Sequence, residues 1–186
     1  MAVDTNQFRA VMGRFATGVT VVTTCKGTER HGITVNAFTS VSLDPPLVLI
    51  CIDRSSHVHD ILIESGVFAV NILAEEQQHL SDCFAGHSEY RFRDFCGATF
   101  HTATTGAPVL DGTLGYVDCR VVDVFPGGDH SIIVGRVEAL NTGENDDPLL
   151  YYRSRYVLPG EQLGTAGEPA EPAARAEPAA RAERVR

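Results

Sequence analysis

The chain has 186 residues, 44% of them hydrophobic, and a formal net charge of −9. That length and apolar content suit one globular domain with a full core, and no apolar run approaches the ~18 residues of a membrane span. The acidic excess disfavours nucleic-acid binding, because a negative surface repels phosphate backbones. Met1-Ala2-Val3-Asp4-Thr5-Asn6 lacks a basic region ahead of an apolar stretch, so no signal peptide is expected and the cytoplasm is the expected compartment.

Asp4 or Thr5 is placed to cap a helix whose Phe8, Val11, Met12 and Phe15 share one face, with Gly18 to end it. The β-branched run from Val19 to Thr24 reads as a strand. A polar turn from Lys26 to Arg30 precedes a returning strand from Gly32 to Ala37. Pro45-Pro46 breaks the ladder ahead of Leu47 to Ile52, an apolar run that reads as a central strand. Ser55 or Ser56 is expected to cap a short helix through Val58, Ile61 and Leu62, stopped by Gly66. A strand from Val67 to Leu73 and a short helix from Glu75 to Phe84 follow, then an irregular loop from Gly86 to Gly97. Gly115 to Phe125 and His130 to Leu140 form a hairpin around Pro126-Gly127-Gly128-Asp129, and Tyr151 to Leu158 makes a last strand.

Many strands with short interposed helices predict a mainly β barrel with helical caps rather than a doubly wound parallel sheet. The folded domain is expected over 1–163. Residues 164–186 carry Glu-Pro-Ala-Ala-Arg-Ala twice, at 171–176 and 177–182, and are expected to be disordered for want of apolar surface to bury. Four glutamates and four arginines cancel there, so the acidic excess belongs to the domain. The cysteines (Cys25, Cys51, Cys83, Cys96 and Cys119) are odd in number and have neither zinc-site nor disulfide-framework spacing, which reads as reduced, mostly buried thiols.

The chain lacks Gly-x-Gly-x-x-Gly, Gly-x-x-x-x-Gly-Lys-[Ser/Thr], Gly-x-Ser-x-Gly and His-Glu-x-x-His. A redox cofactor must therefore be held without a Rossmann or phosphate-loop cradle. Gly32 to Ser42 offers an alternative: small side chains that let a flat ring approach the backbone, with Thr34, Asn36, Thr39 and Ser40 as short polar partners. Strand alternation puts Thr34, Asn36 and Phe38 on one side and Val35, Ala37 and Thr39 on the other. An ordinary polar edge strand has the same pattern. Asp53-Arg54-Ser55-Ser56 before a helix fits an anion site or plain serine caps. Phe84-Ala85-Gly86 reads as a helix end with backbone amides free for a ligand, or as core. His130 follows a Gly-Gly turn at a strand start, where it projects over a barrel mouth or lies on the surface. His57 and His59 fall on different helix faces, which argues against a metal site. The aromatic and guanidinium groups of Tyr151-Tyr152-Arg153-Ser154-Arg155-Tyr156 fit a nucleotide contact or a packing lid.

Arg14-Phe15-Ala16-Thr17-Gly18-Val19-Thr20-Val21-Val22-Thr23, Gly32 to Pro46, Val70-Asn71-Ile72-Leu73, Phe84-Ala85-Gly86, Gly128-Asp129-His130 and Pro148-Leu149-Leu150-Tyr151-Tyr152 occur in an order that resembles the short-chain flavin reductases. These are the reductase components of two-component monooxygenases acting on phenol or 4-hydroxyphenylacetate. The resemblance implies an FMN-binding split β-barrel of Greek-key type, a homodimer, and hydride transfer from NADH (or NADPH) to FAD or FMN for a separate monooxygenase. It implies that Thr34, Val35, Asn36 and Ala37 line the isoalloxazine, and that Ser40, Asp53, Ser55 and Ser56 hold the ribityl-phosphate part. It further implies that Phe84, Ala85 and Gly86 close on the flavin. His130 would contact the nicotinamide dinucleotide, with Tyr152, Arg155 and Tyr156 nearby. A flavin-storage protein and an oxidase of the pyridoxamine-phosphate type are the alternatives.

Overall fold

Asp4 begins the first helix, α1 (Thr5–Met12), by accepting the Gln7 N–H on its side chain at 2.8 Å. The computed structural model describes residues 3–87, 94–145 and 147–160; the expected tail, 164–186, thus lies outside the described residues. Gly13, not Gly18, caps α1, and its apolar face is open: Phe8, Val11, Met12 and Phe15 are all at least half exposed.

The strands are β1 (Thr17–Gly18), β2 (Thr20–Lys26), β3 (Glu29–Val35), β4 (Phe38–Leu43) and β5 (Pro46–Asp53). After α2 (His59–Ser65), β6 (Val67–Ile72) and α3 (Gln78–Phe84) come β7 (Phe100–Thr102), β8 (Pro108–Leu110), β9 (Gly115–Gly127) and β10 (His130–Thr142). A final hairpin of β11 (Leu150–Tyr152) and β12 (Arg155–Val157) replaces the single strand expected there, because Arg153 and Ser154 both take left-handed turn conformations. Val58, with no side-chain cap, precedes α2, so Ser55 and Ser56 do not cap it; Gly66 ends it as expected, with φ +69°.

Seven strands form one antiparallel sheet in the order β3-β2-β6-β9-β10-β5-β4. The apolar strand β5 is therefore next to an edge rather than central. The path from β5 through α2 to β6 passes over β9 and β10, a Greek-key connection. Asn36 and Ala37 link β3 to β4, the two edges of the sheet, so the sheet curls into a barrel with a seam. The Cys51 N–H donates to the Ala37 carbonyl at 3.0 Å beside that link.

Inside the barrel Val22, Val35, Ile50, Ile52, Val58, Leu62, Phe68, Val70 and Ile133 pack together. A second cluster (Val19, Val21, Leu73, Leu80, Phe84, Leu110 and Leu149) lies under α3 and the small β7–β8 hairpin. Asn71, fully buried, donates to the Val21 carbonyl at 2.9 Å and accepts the Leu110 N–H at 2.8 Å, joining the barrel to that hairpin. No helix among the described residues is long and apolar enough to cross a membrane.

Gly135 sits at a register shift of β10 and leaves room for a neighbouring ring. A β-carbon there would lie 2.4 Å from Phe68 Cζ and 3.0 Å from Cys119 Cβ, and both side chains are fully buried. Gly135→Ala is expected to cost about 1–3 kcal/mol, the usual range for overpacking. A lowered urea midpoint at unchanged slope is the expected result.

Candidate functional site

A groove runs along the barrel seam. At one end a cavity of about 360 Å³ is walled by Gly32 and Ile33 of β3, Ser55, Ser56 and His57 after β5, and Cys83 to Gly86 at the end of α3. Ala85 also borders a second cavity of about 170 Å³ with Thr34, Asn36, Ser81, Tyr151 and Tyr156. Asn36 and Tyr151 in turn border a third, of about 450 Å³, which takes in Ala37, Phe8, Met12 and Phe15. Shared walls thus join β3, the α3 terminus, the final hairpin and α1 into one lining.

The turn after β5 is built by Asp53, whose Oδ1 accepts both the Ser55 N–H and the Ser55 hydroxyl at 2.8 Å. Those two bonds hold the Asp53 carboxyl below its ordinary range, with a smaller contribution from His130. The Arg54 N–H donates to the Asp129 carbonyl at 3.0 Å and fastens the turn to the β9–β10 hairpin. Ser56 Oγ is buried and makes no hydrogen bond among the described residues. An orphaned hydroxyl in a cavity wall suits a ligand oxygen such as a phosphate or ribityl group. Opposite it, Gly32 is required for close approach: a β-carbon would fall 2.6 Å from Phe84 Cε1. The residues present therefore fit a flavin.

At the α3 terminus the expectation of free backbone amides is not met. The Ala85, Gly86 and His87 N–H groups donate to the carbonyls of Ser81, Cys83 and Asp82 at 2.9–3.0 Å, because the chain keeps winding after the helix. What α3 offers the groove is a carbonyl and side chains. Thr34 Oγ1 donates to the Ser81 carbonyl at 2.7 Å. The Tyr156 hydroxyl donates to Asp82 Oδ1 and lies 2.9 Å from Ser81 Oγ. Burial, then the Asp82 carboxylate, pushes the Tyr156 phenol up. No motif marks Ser81 and Asp82; the one local signal is that Ser81 stands one helical turn before Ala85.

Other expected residues are dispersed. Val35 points into the core, and Phe38 joins it, because the irregular Asn36-Ala37 link breaks the alternation assumed for one continuous strand. Ser40 is exposed on β4 and lines none of the three cavities. His130 is the cross-strand partner of Asp53 and has Nδ1 2.8 Å from Asp129 Oδ1. Tyr152, Arg155 and Tyr156 lie on the final hairpin; of these Tyr156 lines the groove, whereas Tyr152 and Arg155 pair with each other across the hairpin.

The expectation of five reduced thiols is corrected. Cys83 in the last turn of α3 is disulfide-bonded to Cys96, with Cα atoms 6.0 Å apart. They stand thirteen positions apart, no short-motif spacing, and tertiary folding alone brings them together. Cys25, Cys51 and Cys119 are free. Burial pushes the Cys119 thiol up to about 12.

A family model described as a flavin reductase like domain matches residues 12–158. The reductase subunit of a flavin-dependent monooxygenase from Rhodococcus jostii is 39% identical over 155 residues, 83% of this chain and 78% of that protein. An NADH-dependent flavin reductase from a Rhodococcus species is 41% identical, over 80% of this chain and 82% of its own. The solved NADH:FAD oxidoreductase of Streptomyces globisporus, in complex with NAD and FAD fragments, has a TM-score of 0.75 at 33% identity. That likeness covers 90% of this chain and 99% of the other. With the same barrel and a match running from the end of α1 through β12, this chain belongs to the flavin reductase family.

Proposed function

We propose that this chain is an NAD(P)H:flavin oxidoreductase. It passes a hydride from NADH (or NADPH) to FAD or FMN and hands the reduced flavin to a separate flavin-dependent monooxygenase. The observation that carries this reading is the seam groove, where the Phe84 ring, seated on the bare backbone of Gly32, and an unpartnered buried hydroxyl at Ser56 line one cavity.

Flavin, when bound, supplies the hydride-accepting atom; the protein supplies placement. Thr34, Asn36 and Ala37 present short side chains and backbone to the ring, with Val35 anchoring the strand from the core. Ser55 and Ser56, braced by Asp53, hold the ribityl-phosphate part. Phe84, Ala85 and Gly86 form the wall that closes on it. His130 orients the nicotinamide dinucleotide from the Asp53 end, and Tyr156 bounds the groove at the other, with Tyr152 and Arg155 behind it. Hydride transfer needs donor and acceptor carbon and nitrogen about 3–3.5 Å apart and no protein nucleophile, so orientation is the main catalytic factor.

The protein acts as a homodimer. Phe8, Val11, Met12 and Phe15 on α1, with Val122, Val124 and Phe125 on the projecting part of β9, leave apolar surface that a second copy would cover. Because α1 also walls the groove, the subunit contact would adjoin the flavin.

Anaerobic mixing with NADH or NADPH and either flavin should bleach the flavin absorbance; binding without bleaching would indicate storage instead. His130→Ala should raise the nicotinamide KM while leaving flavin affinity unchanged, and the opposite pattern would remove His130 from that role. Gly32→Ala should drive the Phe84 ring into the cavity and weaken flavin affinity about tenfold or more, equivalent to ~1.4 kcal/mol, as read by fluorescence quenching. Sedimentation should give twice the chain mass, and Phe125→Asp should shift it toward the monomer.

A further inference from the structure

We propose that the Cys83–Cys96 disulfide is a thiol-sensitive latch that sets how tightly the groove holds flavin. The inference rests on the flavin reading above for its consequence, but not for its existence.

Asp94, Phe95 and Cys96 are three successive non-glycine residues in the left-handed region, with φ of 46°, 52° and 59°. In that conformation the β-carbon crowds the following carbonyl, so L-residues adopt it singly and seldom in a row. Such a backbone persists only where its surroundings enforce it. Among the described residues the contacts that enforce it are the covalent bond from Cys96 to Cys83 and an aromatic stack. The Phe95 ring stands edge-on between Phe84, at 5.1 Å, and Phe100, at 5.4 Å.

That stack leads directly to the groove. Phe84 follows Cys83 on α3, packs on the bare backbone of Gly32 and walls the cavity that holds Ser56. The position of the Phe84 ring is thus set from one side by Gly32 and from the other by Phe95, and Phe95 is held by its neighbour Cys96.

Cys96 is partly exposed whereas Cys83 is buried, which sets the order of exchange. A dithiol reductant attacks Cys96 Sγ as its thiolate. The protein S–S bond breaks, and Cys83 leaves as a thiolate and takes up a proton. The second thiol of the reductant then attacks the mixed disulfide and frees Cys96, which is protonated in turn. Two electrons and two protons pass to the protein, and the reductant ends as its own disulfide. Without the bond the turn relaxes toward ordinary backbone angles, Phe95 leaves the stack, and Phe84 no longer presents a fixed wall.

The test uses the full chain. Thiols counted with a chromogenic disulfide in denaturant should number three before dithiothreitol and five after it. Amide exchange at 94–98 should rise on reduction. Affinity for FMN and FAD should fall about fivefold, the scale expected when one or two side chains must be re-ordered on binding. The Cys83→Ser/Cys96→Ser double variant should show the weaker affinity with or without dithiothreitol. Five thiols in the unreduced chain, unchanged exchange, or unchanged affinity on reduction would each overturn the latch. If neither form binds flavin, the functional reading fails and the latch is overturned as a control of flavin, while the thiol count and exchange still report the switch itself.

Discussion

Strands β3 and β4 are separated by Asn36 and Ala37 alone, yet they are opposite edges of one seven-stranded sheet. Six inter-strand spacings of ~4.8 Å would put those edges roughly 29 Å apart in a flat sheet. Two linking residues span at most about 10 Å. The sheet has no option but to curl until its edges meet, and the remaining features of the molecule follow from that closure. It creates an inside for Phe68, Ile50 and Ile133, and a seam where the edges meet without pairing.

Curling has local costs that particular residues absorb. The long strand β10 shifts register twice against β9, between Val134 and Gly135 and between Val137 and Ala139. Such irregularities bend and twist a strand. Gly135 gives the space that the bend takes from the Phe68 ring. Within the barrel wall the buried Thr20, Thr24 and Asn71 each bond a carbonyl of a neighbouring segment.

The cavities along the seam are lined mostly by backbone, short polar side chains and aromatic rings. That composition suits a reaction whose reactive atoms belong to the bound molecules. A chain with net charge −9 has no general attraction for a dinucleotide, so under the proposed function recognition would fall to short, placed groups such as Ser55 and Ser56. α3 serves this surface twice, through Ser81 and Asp82 toward Tyr156 and through Phe84 toward Gly32.

Local patterns made much of the molecule legible. The β-branched run of β2, the apolar run of β5, the Gly-Gly turn between β9 and β10 and the glycine stop of α2 are decided by torsional preference and alternation within a few residues. Thr34, Asn36, Ser56 and Ala85, singled out by family likeness in short motifs, line the cavities along the seam. Tertiary structure alone decided that Phe38 turns inward, that Ser55 belongs to an aspartate-braced turn instead of a helix cap, and that α1 shows its apolar face. It alone brought Cys83 to Cys96 and Tyr156 to Asp82. Contacts between residues far apart in the chain depend on how the closed sheet places its ends, and no local periodicity encodes that distance.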